Sequence, residues 1–136
     1  MDNKRARILM VDDDVDFVDL TRGVLETAGH TVLTASTGSE GLKKARAERP
    51  DLMLLDVMME STTEGLTVSR QIRRTRELQG MPVILLTGLV GAMELRSGLK
   101  PDRTWLPVSA VIEKPVAPSR LLEEIRKHLP AGRAGG

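Results

Sequence analysis

Three runs of consecutive apolar residues stand out along the chain: Ile8-Leu9-Met10-Val11, Leu52-Met53-Leu54-Leu55 and Val83-Ile84-Leu85-Leu86. None alternates with polar residues. A strand wetted on one face would alternate, so these runs predict strands of a parallel sheet covered on both faces. Two weaker runs, Thr31-Val32-Leu33-Thr34-Ala35 and Ala110-Val111-Ile112, predict two more strands. Between the runs the apolar spacing becomes helical. Residues 15–28 place Phe17, Val18, Thr21, Val24, Leu25 and Ala28 on one stripe. Asp14 suits the N-cap of that helix, and Gly29 the position just past its end. Residues 40–48 predict a second helix, capped by Ser39 and stopped before Pro50. Residues 65–78 predict a third, with Leu66, Val68 or Ser69, Ile72 and Leu78 inward. Residues 118–129 predict the last, opening on Pro118 and burying Leu121, Leu122, Ile125 and Leu129. In the stretch 88–109, residues 92–97 read as a short helix and 98–102 as a turn. Strand–helix alternation of this kind predicts an α/β, doubly wound parallel sheet of five strands with helices on both faces.

Length and composition narrow the function. The 136 residues predict one domain over 1–130, and the small, Gly-rich residues 131–136 a disordered tail. Lys+Arg 20 against Asp+Glu 19 gives a net charge of +1, without the basic excess of a dedicated nucleic-acid binder. Cysteine is absent, which excludes disulfides, thiolate metal sites and a thiol nucleophile. Phe17 and Trp105 are the only Phe, Tyr or Trp residues, so stacking platforms for single strands are excluded. No apolar run approaches the roughly 18–20 residues that span a bilayer, and the first is too short for a signal peptide. The expectation is a cytoplasmic protein without membrane partners.

In open parallel sheets, ligands bind beyond the carboxyl ends of the strands. The residues following the apolar runs are Asp12-Asp13-Asp14, Asp56, Thr87-Gly88 and Glu113-Lys114-Pro115. One sheet edge thus gathers carboxylates, a hydroxyl and an ammonium. Clustered carboxylates repel unless a cation joins them. Oxygen ligands without His or Cys favour a hard cation, Mg2+ first. A lysine and a hydroxyl beside it suit a phosphoryl group. No GxxxxGK[ST] or GxGxxG loop is present, which argues against a nucleotide substrate. A carboxylate can itself take a phosphoryl group as an acyl phosphate, and Asp56, single and central, is the best candidate.

Those four motifs, in that order at the strand ends, resemble the receiver domain of two-component response regulators over about residues 6–129. The resemblance implies the flavodoxin-like receiver fold with strand order 2-1-3-4-5. It implies that Asp13, with Asp12 acting through water, holds Mg2+ together with Asp56 and the backbone carbonyl of Met58. Asp56 would accept the phosphoryl group from a sensor histidine kinase, a phosphotransfer protein or a small donor. Thr87 would swing toward the phosphoryl oxygens and Lys114 would pair with them. Gly88 would leave the site open, and Lys114–Pro115 would be cis. The chain would act as a stand-alone receiver rather than an enzyme, signalling by protein–protein contact or phosphorelay.

The sequence also departs from that family's pattern. Val111 occupies a position where many receivers carry Tyr or Phe. The loop after Asp56 lacks the usual proline and is a residue longer, and the 88–109 segment, with Trp105, is extended. Met58 and Leu89 stand where side chains tune the lifetime of the phosphoaspartate, and neither orients an attacking water by hydrogen bonding. Slow self-dephosphorylation is the expectation. Two alternatives stay open: a degenerate receiver acting as a constitutive interaction module, and a haloacid-dehalogenase-like phosphatase using Asp12 and Asp14. Against the latter, Asp16 stands where that family needs Thr or Val. Arg70, Arg73, Arg74 and Arg76 read as a solvated face, His30 and His128 as surface or helix-end residues, and Trp105 as cover for the core.

Overall fold

Each apolar run folds as a strand because its side chains find cover on both sides. The computed structural model describes residues 5–56, 68, 70–88 and 109–129. The strands are β1 (Arg7–Val11), β2 (Thr31–Ala35), β3 (Leu52–Asp56), β4 (Val83–Thr87) and β5 (Ala110–Glu113). They form one sheet in the order β2-β1-β3-β4-β5, and every pairing is parallel. The expected fold class and strand order are both observed.

The pleat divides each run between two cores. Leu9, Val11, Met53, Leu55, Val83 and Leu85 point to one side, where Ala45, Ile72 and Leu78 meet them. Ile8, Met10, Leu52, Leu54, Ile84, Leu86 and Ile112 point to the other, against Leu25, Leu121, Ile125 and Leu129. Each fully buried Leu or Ile contributes about 1.5–3 kcal/mol relative to exposure, and from Ile8, Leu52 and Val83 onward the three inner strands carry only apolar residues until their carboxyl ends.

Four helical segments supply this cover: α1 (Val15–Thr27), α2 (Gly38–Glu48), α3 (70–74) and α4 (Pro118–His128). α1 begins where expected. The Asp14 carboxylate accepts the Phe17 N–H, and Gly29 follows Ala28 with φ of +99°. Ala28, expected in the buried stripe, is the exposed C-cap. α2 starts two residues before the expected helix. Thr37, not Ser39, is the N-cap, accepting the Glu40 N–H, while Glu40 accepts the Ser36 N–H and is held below the ordinary carboxylate range by that bond. The earlier start brings Gly38 and Gly41 inward, and Gly41 sits directly on Val11.

α3 ends earlier than the sequence predicts. Thr75 is extended (ψ 114°) and Arg76–Leu78 forms a separate 3-10 turn. The Thr75 hydroxyl donates to the Gln71 carbonyl, an alternative that competes with the helical ladder. Arg73 then donates to the carbonyls of Gln79 and Met81, and the Gln79 amide donates back to the Arg73 carbonyl. Arg73 is therefore a clasp on this turn, not part of a solvated face, whereas Arg74 and Arg76 are exposed as expected. Val68, Ile72 and Leu78 are buried. The expectations for residues 65–67, Met58, Leu89, the 92–97 helix, Trp105 and the 131–136 tail lie outside the described residues.

Candidate functional site

β1 and β3 end side by side at the centre of the sheet, so Asp12 and Asp56 emerge together. Asp12 extends β1 by donating its N–H to the Ala35 carbonyl at 3.0 Å. Both carboxylates are buried, at 4% and 5% relative exposure, while Asp13 is exposed. Carboxylate oxygens of Asp12, Asp13 and Asp56 lie within 4.8 Å of one another, the one such acidic group among the described residues. Two charges at that spacing repel by on the order of 3 kcal/mol at an effective dielectric constant of about 20, so the group demands positive charge.

Part of that charge is Lys114, one residue past β5. Its ammonium lies 2.9 Å from Oδ2 of Asp12 and 3.6 Å from Oδ2 of Asp56. The other Asp12 oxygen accepts the Asp14 N–H at 2.9 Å. The Lys114–Pro115 bond is cis, as expected. Thr87 closes β4, its backbone paired with Glu113 next to Lys114. Among the described residues, a Cβ on the following residue, Gly88, would meet nothing within 4 Å. Asp12, Asp13, Asp56 and Lys114 are thus gathered at one sheet edge, and Met58 falls outside the described residues. Asp14 is not part of the cluster; it is the helix cap.

One contact was not anticipated from the sequence. The ring of Phe17 lies with its centroid 4.0 Å from the Lys114 ammonium. Phe17 was expected only as a core residue, and it does pack partly against the α1–α4 side of the sheet. The available signal was slight: a lone phenylalanine in the first turn after the acidic triplet. The histidines are helix-end residues, as expected: His30 donates its N–H to the Leu25 carbonyl just past α1, and His128 is the last residue of α4. His30 is half-buried and its Nδ1 accepts the Ala6 N–H at 3.1 Å, while burial lowers its pKa below the usual 6.5. His128 is half-buried, with Nε2 3.5 Å from Glu124.

Three carboxylates, no softer ligand and an adjacent lysine fit a hard divalent cation. The family model for the response regulator receiver domain matches residues 8–126. The chain belongs to the response regulator receiver family. Receivers are signalling modules that, as a family, bind Mg2+ at an acidic site and are phosphorylated. This receiver is 32% identical over 129 residues to the DNA-binding response regulator MtrA of Mycobacterium tuberculosis, covering 95% of this chain and 53% of the relative. It is 43% identical over 81 residues to the alkaline phosphatase synthesis regulator PhoP of Bacillus subtilis, covering 60% of this chain and 32% of PhoP. The receiver thus spans about half the length of one of these relatives and a third of the other. Among solved structures it resembles the chemotaxis response regulator CheY4 of Vibrio cholerae (TM-score 0.78, 26% identity), covering 92% of this chain and 99% of that one. No helix among the described residues is long and apolar enough to cross a membrane.

Proposed function

We propose that this receiver is a phosphorylation-controlled switch in which Asp56 accepts a phosphoryl group from a sensor histidine kinase or a phosphotransfer protein. A carboxylate oxygen of Asp56 attacks phosphorus. The Oδ–P bond forms as the donor's P–N bond to its histidine breaks, and the electron pair leaves with the imidazole. The observation that carries this reading is the Lys114 ammonium lying against both buried carboxylates, 2.9 Å from Asp12 and 3.6 Å from Asp56. A cation already at the strand ends is placed for the oxygens of an incoming phosphoryl group, at little reorganisation cost. Asp12, Asp13 and Asp56, with the Met58 carbonyl, would hold Mg2+, which when bound supplies charge neutralisation for the phosphoryl oxygens. Thr87 would donate a hydrogen bond to a phosphoryl oxygen once the acyl phosphate has formed, and phosphorylation shifts the population between two conformations.

Within these residues the output is a protein–protein contact or onward transfer of the phosphoryl group, in the cytoplasm, and no nucleic-acid contact is assigned to them. The phosphatase reading loses support because Asp14, which it needs as an acid–base group, caps α1. The degenerate-receiver reading draws on Val111, half-buried against the α2 side of the sheet, where it offers no ring to couple to Thr87. Intact mass after incubation with a small phosphodonor and Mg2+ separates the two. One adduct on the wild type, absent from Asp56→Asn, supports the switch. No adduct where another receiver labels supports the constitutive module.

A further inference from the structure

Phe17 and Lys114 come from opposite ends of the chain, and a closed circuit of contacts joins them. The Phe17 N–H donates to Asp14 at 3.1 Å, the Asp14 N–H donates to Asp12 at 2.9 Å, and Asp12 binds Lys114 at 2.9 Å. The Phe17 ring, 4.0 Å from the ammonium, completes the circuit. A lysine side chain is long and flexible, so aiming its charge requires anchors. Asp12 supplies one. Asp56 lies farther away, at 3.6 Å, and is itself the group that changes when phosphoryl arrives. The ring face is an anchor whose attraction does not depend on the state of Asp56. It also covers the ammonium, whose side chain is 19% exposed.

We propose that Phe17 is a positioning residue: its ring holds the Lys114 ammonium toward Asp12 and Asp56 and so sets the rate at which Asp56 accepts phosphoryl. This rests on the reading of Asp56 as the phosphoacceptor. A ring serving only as core filling would be replaced adequately by leucine, which keeps apolar bulk but has no π face. A positioning ring is replaced by tyrosine and not by leucine.

The test uses the full chain and its Phe17→Leu and Phe17→Tyr variants. Labelling is followed by intact mass at saturating phosphodonor across a Mg2+ titration. The leucine variant is expected to lower the maximal rate roughly three- to thirty-fold, the equivalent of a lost cation–π contact, with the half-saturating Mg2+ concentration unchanged. The tyrosine variant is expected to restore most of the rate. In parallel, NMR of 13C-lysine-labelled protein reads the Lys114 ε-methylene, which the ring current shifts upfield in wild type and Phe17→Tyr but not in Phe17→Leu. Wild-type labelling by the leucine variant, or equal slowing by both variants, overturns the proposal. A wild-type chain that takes no adduct overturns the phosphoacceptor reading instead. The order of the Lys114 ε-methylene, read by 13C relaxation, then decides its placement: a more mobile methylene in Phe17→Leu than in wild type and Phe17→Tyr supports the ring as anchor, and equal order in all three refutes it.

Discussion

Two helical glycines offer a matched pair of substitutions with opposite expected signs. Gly23 lies in α1 and Gly41 in α2. Replacing either by alanine removes glycine's backbone entropy loss, a gain of about 0.5–1 kcal/mol. At Gly23 nothing else changes, because a Cβ there meets no atom of the described residues within 4 Å. At Gly41 the new Cβ would stand 2.7 Å from Cγ2 and 3.1 Å from Cγ1 of Val11. Val11 cannot yield easily: its side chain is β-branched, 0% exposed and set in a strand paired on both sides. Overpacking of this kind costs about 1–3 kcal/mol. Gly41→Ala is therefore expected to be destabilised and Gly23→Ala stabilised, a separation of about 2 kcal/mol. In urea unfolding followed by circular dichroism, that gap moves the two midpoints apart by roughly 1 M for a typical dependence on denaturant. Because Val11 immediately precedes Asp12, Gly41→Ala is also expected to weaken Mg2+ binding, and Gly23→Ala is not. Equal midpoints for the two variants would refute the claim that α2 is pressed on β1 through a residue without a side chain.

Three further outcomes are expected. His30 accepts a backbone N–H through Nδ1, and burial lowers its pKa from 6.5, so the unfolded chain takes up the proton first as pH falls. Its stabilisation is complete above about pH 6.5 and is lost as pH drops through the lower folded value, and His30→Gln, which keeps an acceptor but does not titrate, should flatten the stability–pH curve just below 6.5. Asp13→Ala, at the exposed carboxylate of the acidic group, should weaken Mg2+ binding measured by calorimetry without lowering thermal stability by more than about 0.5 kcal/mol; unchanged affinity would remove Asp13 from the ligand set. The phosphorylated protein should keep its adduct when donor is withdrawn, since Met58 and Leu89 cannot orient water, and loss of the adduct within seconds would contradict that reading.

What the sequence by itself determined was local or periodic. A short unbroken apolar run bounded by turn residues and alternating with helical patterns reads as a strand covered on both faces, and the residue that ends it lies at the sheet edge. That is why Asp12, Asp56, Thr87 and Lys114 were readable as a group, although 102 positions separate Asp12 from Lys114. The N-cap at Asp14 was legible for the same reason, being a choice between neighbouring residues. The tertiary structure decided what depends on groups distant in the chain. Ser39 and Thr37 are both competent caps, and α2 starts at the latter with Gly41 seated on Val11. His30 is the helix-end residue its position suggested, but only the chain leading into β1 brings the Ala6 N–H to its ring. Phe17 looked like filling until β5 delivered an ammonium to its face. In each case the deciding free energy belongs to a contact between segments that no local pattern encodes, and it exists only after the sheet has assembled.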